Sequence, residues 1–181
     1  MTNPISMYSR AISAGYLLCL SFVLLISACK KEPCEEVICQ NQGQCVEGLC
    51  ECPEAYEGEF CENLIQLKFL GTYTTSYDCS SAVHMVIIEA LPDNTEQVRI
   101  INLGDYACPD PGSEFAAVIA AVDSNRLTLP AQTVCGTTGF AGYTYTGTGT
   151  VSGSSISLSF KVSYESDGLM ITDECLASME K

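Results

Sequence analysis

Tryptophan is absent from this 181-residue chain, histidine occurs once, and Lys and Arg together number only eight. Against 22 Asp and Glu, that shortage leaves a formal net charge of -14. Nucleic acid is thereby excluded as a partner, because phosphate contacts need clustered Lys and Arg. The single imidazole, His84, lies in Ala82-Val83-His84-Met85-Val86-Ile87-Ile88 and reads as a packed strand residue. An enzyme would need it beside a nucleophile and a carboxylate. Ser80 and Ser81 are near in sequence, but no G-x-S-x-G elbow accompanies them. Gly136-Thr137-Thr138-Gly139 lacks the lysine and the strand–helix context of a phosphate loop. Asp105, Asp110 and Glu114 crowd one loop without EF-hand spacing, so they read as solvated acids. No stretch carries a helical apolar stripe. The expectation is a protein without catalytic residues, bound metal or cofactor.

Cysteine, by contrast, is plentiful, with twelve residues. Arg10 precedes an apolar run of 13 residues from Tyr16 to Ala28, which ends in Leu25-Ile26-Ser27-Ala28-Cys29. A spanning helix needs roughly 20 apolar residues, so this run has the length of a signal h-region instead. The ending resembles the lipobox of bacterial lipoproteins. That resemblance implies a lipoprotein signal peptide over residues 1–28, acylation of Cys29, and a lipidated linker over 29–33. Several acyl chains on one residue anchor a protein stably where a single chain does not. Lys30 is not the aspartate that holds such proteins at the inner membrane. The expected location is the outer membrane, on its periplasmic or cell-surface face.

With Cys19 lost in the signal and Cys29 lipidated, ten cysteines remain in an exported chain, the setting in which they pair as disulfides. Six fall within 28 residues: Cys34, Cys39, Cys45, Cys50, Cys52 and Cys61. Their spacing alone leaves 15 pairings open. A segment of this size cannot bury enough apolar surface to fold without covalent staples. Asn41-Gln42-Gly43-Gln44-Cys45, Cys50-Glu51-Cys52-Pro53 and Tyr56-Glu57-Gly58-Glu59-Phe60-Cys61 together resemble an EGF-like module over residues 34–63. The resemblance implies Cys34–Cys45, Cys39–Cys50 and Cys52–Cys61. Ala55 replaces the glycine usual before the aromatic residue. Lys31-Glu32-Pro33-Cys34 lacks the acidic and amide ligands of the calcium-binding subtype, so no calcium is expected. The C-x-C spacing and the missing histidine argue against zinc. From Glu32 to Glu62 there are nine Glu and no Lys or Arg, which suits a solvated, self-repelling stalk or a surface for a basic partner.

Over residues 66–181 the composition shifts to Thr, Ser, Gly, Val, Ile and Tyr. Ile156, Leu158, Phe160, Val162 and Tyr164 alternate with Ser157, Ser159, Lys161 and Ser163, as a half-buried strand requires. Tyr143 to Val151 alternates likewise, with Gly147 and Gly149 permitting close packing. Eight strands are expected, at about 67–78, 83–91, 96–103, 115–123, 126–130, 142–152, 155–164 and 169–179, separated by short turns. Short connections make antiparallel neighbours. The fold class is therefore mainly β: a disulfide-rich module plus an antiparallel eight-stranded meander barrel, with a β-sandwich as the alternative. Lys68-Phe69-Leu70-Gly71-Thr72-Tyr73 resembles the first-strand motif of lipocalin-like barrels. No closing basic residue is evident near the C-terminus to pack over the aromatic one. Cys79, Cys108, Cys135 and Cys175 allow three pairings. In a closed meander the first and last strands meet, which favours Cys79–Cys175 and leaves Cys108–Cys135.

Together these features point to a non-enzymatic outer-membrane lipoprotein, held to the membrane by its N-terminal lipid. Its EGF-like stalk would present the barrel to a protein or a glycan. The alternative is a lipocalin-like carrier of a small apolar ligand, which needs a hollow interior. Bulky Ile156, Phe160, Tyr143 and Tyr164 would instead fill it.

Overall fold

The computed structural model describes residues 32–109 and 115–181. The expected signal segment, the expected lipidation position Cys29, and the loop acids Asp110 and Glu114 lie outside the described residues.

The N-terminal module is built from two small hairpins. Strands β1 (Gln44–Val46) and β2 (Leu49–Glu51) pair antiparallel, as do β3 (Tyr56–Glu57) and β4 (Asn63–Leu64). Three disulfides, Cys34–Cys45, Cys39–Cys50 and Cys52–Cys61, stand where a larger domain would have an apolar core. Packing around the last bridge is close: a Cβ added at Gly43 would lie 2.6 Å from Cys61 Sγ.

Eight further strands form a closed barrel. They are β5 (Gly71–Tyr77), β6 (Val83–Leu91), β7 (Asn94–Ile101), β8 (Ala117–Asp123), β9 (Arg126–Val134), β10 (Tyr143–Ser152), β11 (Ser155–Ser166) and β12 (Leu169–Glu180). Each pairs antiparallel with the next in sequence, and β12 returns to pair with β5. Closure rules out the sandwich alternative. It also removes the unpaired edges that an open sheet would leave.

The sequence alternation is realised strand by strand. In β11, Ile156, Leu158, Phe160 and Val162 are buried while Ser157, Ser159 and Lys161 face outward. Residues 117–121, rich in Ala, belong to a strand too, with Val118, Ala120 and Val122 pointing inward. Phe69, Tyr73, Tyr145, Phe160, Leu127 and Met179 are all fully buried in one contiguous core. Gly147 and Gly149 let β10 approach β11 closely: added Cβ atoms would meet the carbonyl oxygens of Ser159 at 2.5 Å and Ser157 at 2.7 Å.

Two elements depart from the sequence expectation. The first strand begins at Gly71, not near residue 67, because Ile65–Lys68 coils into a 3-10 turn. Ile65 and Gln66 are buried there, and Gln66 Nε2 donates to the carbonyls of Asn94 (2.9 Å) and Gln97 (2.5 Å). The turn thus closes one end of the barrel. The fifth strand runs on past Pro130 to Val134. Pro130 has no N–H to donate, and the Gln132 side chain takes over the pairing with β8 at Ile119.

A closing basic residue is also present, contrary to the sequence reading. It is the last residue, Lys181, whose Nζ lies 5.3 Å from the centre of the Tyr73 ring.

The N-terminal module docks at this same closed end. The Ile65 N–H donates to the Ala55 carbonyl (2.9 Å), and the Ala55 methyl is buried. Lys68 Nζ pairs with Glu57 (2.5 Å) and donates to the Ser124 carbonyl and to Asn125 Oδ1 in the β8–β9 turn.

Candidate binding site at the open mouth of the barrel

The opposite end is open and aromatic. Its floor is the segment following β7, which folds back into the mouth. Asn102, Gly104 and Asp105 all have left-handed backbone conformations, with φ of 67°, 79° and 61°. This sharp path, which Gly and Asn tolerate best, buries Leu103 beneath the rim. Two tyrosines hold it: Tyr145 donates its hydroxyl to the Leu103 carbonyl (3.1 Å), and the Gly104 N–H donates to the Tyr77 hydroxyl (3.0 Å). Asn102 Nδ2 adds a bond to the Met85 carbonyl (2.9 Å).

Disulfides brace the rim. Cys79–Cys175 extends the β5–β12 seam, where the Leu176 N–H donates to Asp78 Oδ1 (2.7 Å). Cys108–Cys135 ties the loop after β7 to the loop after β9. All ten cysteines among the described residues are bridged.

Strand alternation sends Tyr164 from β11 and Asp173 from β12 into the mouth. Tyr106 rises from the loop, and its hydroxyl donates to Asp173 Oδ2 (2.6 Å). The rings of Tyr106, Tyr143 and Tyr164 pack with centroids 4.9–5.7 Å apart. Phe140 joins them, 5.0 Å from Tyr143. On the other wall His84, an inward position of β6, lies 5.9 Å from the Tyr77 ring. A cavity of about 280 Å³ separates these walls and is lined by Tyr77, Ser80, His84, Tyr106, Tyr164 and Asp173. A second hollow of about 310 Å³ opens beside it, against Pro109, Phe140 and Tyr143.

Burial raises the pKa of Tyr77, Tyr106, Tyr145 and Tyr164, and for Tyr106 the hydrogen bond and charge of Asp173 push the same way. These phenols stay neutral well beyond physiological pH. They are hydrogen-bonding groups and ring surfaces, not bases.

His84 and Asp105 read from sequence as a packed residue and a solvated acid. The fold brings them together, with Nδ1 3.4 Å from Asp105 Oδ2. Ser80 lines the same cavity, and its Oγ accepts the Ala82 N–H (3.2 Å). Tyr106 and Asp173 escaped the sequence reading altogether; only the inward parity of Asp173 along β12 signals it. Among the described residues, no group of three or more His, Cys, Asp or Glu is placed to hold a metal ion.

Over residues 29–61 the chain matches the family model of the EGF-like domain. No curated protein and no solved structure matches the chain. The match covers the module that carries the three N-terminal disulfides and stops short of the barrel. It accounts for the module at the closed end and is silent about the mouth.

Proposed function

We propose that this protein is a non-enzymatic bacterial lipoprotein, anchored in the outer membrane through acylated Cys29, that uses its barrel mouth to bind a protein or glycan. The observation that carries this reading is polarity along the barrel axis. The EGF-like module occupies the closed end through Ala55, Glu57 and Lys68, while the aromatic cavity opens at the other. A lipid at Cys29 would tether the module side and leave the mouth facing outward. Tyrosine clusters suit recognition, because each ring offers large contact area at low entropic cost. The barrel itself belongs with lipocalin-like barrels on this reading: Gly71-Thr72-Tyr73 opens the first strand and Lys181 caps the Tyr73 ring. The filled interior, with Tyr73, Tyr145 and Phe160 fully buried, favours binding at the mouth over carriage inside.

The test has two parts. Mass spectrometry of the membrane fraction should find an acylated N-terminus at Cys29, and Cys29→Ser should release the protein. A pull-down from intact outer membranes should then recover a protein or glycan with the wild-type chain that Tyr164→Ala fails to recover. An unlipidated, soluble wild-type chain would overturn the anchoring. Equal recovery by both forms would overturn the mouth as the binding surface.

A further inference from the structure

We infer that the mouth cavity takes an organic cation, an alkylammonium head or the side chain of a lysine. This rests on the reading of the mouth as a binding surface and names the chemistry it selects. Four aromatic side chains line the cavity: Tyr77 and His84 on one wall, Tyr106 and Tyr164 on the other. The faces of tyrosine rings carry partial negative charge and attract cations, most strongly where water is excluded. Asp173 reaches into the same space. Its carboxylate is fixed by the Tyr106 hydroxyl at 2.6 Å. Asp105 stands at the edge, 3.4 Å from His84.

No Lys or Arg of the described chain competes for the place, and the one imidazole on the wall, His84, is turned to Asp105 rather than to Asp173. Lys68, Arg99 and Lys161 are paired with Glu57, Glu89 and Glu174, and Lys181 sits over Tyr73 at the closed end. Neither these nor Arg126 lines the cavity. A space of about 280 Å³ is at the small end for a ligand site, so it suits one compact group better than a run of sugar rings. The raised phenol pKa values keep the tyrosines uncharged, so the charge of the wall comes from its carboxylates. An anionic ligand would meet repulsion here. A neutral one would leave the carboxylate charge uncompensated.

The full-length protein, with its disulfides intact, is titrated with matched probe pairs while tyrosine fluorescence is followed. Choline is compared with its neutral isostere 3,3-dimethylbutanol. Nα-acetyl-lysine amide is compared with its Nε-acetylated form, and methyl glucoside serves as a neutral sugar. Each cation should bind at least about tenfold more tightly than its neutral partner. Asp173→Asn, which keeps the shape and removes the charge, should weaken cation binding about tenfold and leave the neutral probes unmoved. Choline binding better than the lysine probe assigns a small ammonium ligand; the reverse order assigns a lysine presented by a partner protein. Equal affinities within each pair, preference for the glucoside, or no saturation by any cation with the barrel shown folded by circular dichroism would overturn the inference. If it fails while the pull-down still depends on Tyr164, the binding role of the mouth stands and only its chemistry is wrong.

Discussion

The side chain of Gln132 replaces a stretch of backbone opposite Ile119. Its Oε1 accepts the Ile119 N–H at 2.8 Å, and its Nε2 donates to the Ile119 carbonyl at 2.6 Å. The β8–β9 ladder proper ends near Ala121 and Thr128, and Pro130 cannot extend it. One amide side chain therefore satisfies both polar groups of a residue that the proline would otherwise leave unpaired.

Gln132→Ala should accordingly lower the unfolding free energy by about 1–3 kcal/mol, the usual cost of leaving a partly buried polar group unmade. Gln132→Glu keeps an acceptor and loses the donor, so it should retain part of that stability. Urea titration gives the order, and hydrogen exchange at the Ile119 amide locates the effect. Unchanged exchange at Ile119 in the alanine variant would contradict this role.

Lys181 and Tyr73 make a second long-range contact, with the ammonium 5.3 Å from the ring centre and a bond to the Lys68 carbonyl at 3.4 Å. Lys181 is exposed, so replacing it with Met should cost only about 0.5–1 kcal/mol. Tyr73 is fully buried and donates its hydroxyl to the Phe69 carbonyl at 2.8 Å. Tyr73→Ala should cost about 3–5 kcal/mol, as expected for emptying a large aromatic site. Thermal or urea denaturation of the two variants should separate them clearly. Similar losses would show that Lys181 holds the closed end more firmly than its geometry implies.

Sequence periodicity made the barrel readable because each strand buries one face against a single core. Ile156 to Tyr164 announces β11 unaided. The Ile65–Lys68 turn is hidden in the sequence because Leu67 and Phe69 mimic strand alternation; the burial of Gln66 through bonds to Asn94 and Gln97 depends on chain 28 and 31 residues away. Lys181 is not legible in the sequence because it follows the last strand by one residue and shows no pattern of its own. The mouth was least readable. Tyr106 and Asp173 are 67 residues apart, and they meet only because three left-handed residues turn the loop into the barrel. No local propensity encodes such a meeting.

The Cys79–Cys175 bridge spans 96 residues and fastens the seam that closes the barrel. Only four residue pairs join β5 to β12, so the bridge carries an unusual share of that closure. The double variant Cys79→Ser, Cys175→Ser should lose about 2–5 kcal/mol. Cys108→Ser, Cys135→Ser closes a loop of 27 and should lose less in the chain-entropy account. Equilibrium unfolding of the two double variants tests the ranking. An inverted order would mean that the rim loops, not the seam, limit the stability of the barrel.

Alkaline pH should unfold this protein through its buried tyrosines. Burial raises Tyr73 to about 12, and Tyr77, Tyr106, Tyr145 and Tyr164 are raised as well. In the unfolded chain each phenol ionises near its ordinary value of about 10. The sign follows directly. Below about pH 10 both states are protonated, and the stability contributed by burying neutral phenols is fully present. Above it the unfolded chain releases protons that the folded chain still holds, so stability falls as pH rises. For Tyr73 the loss runs from about pH 10 to about 12. The urea midpoint should therefore decline steadily across that window while remaining flat from neutrality to about pH 9. A rapid phenolate absorbance titration of the folded protein should show most of its tyrosines ionising late, with an abrupt rise on unfolding. Phenols that all titrate near pH 10 in the folded protein would mean that water reaches the Tyr73 and Tyr145 sites.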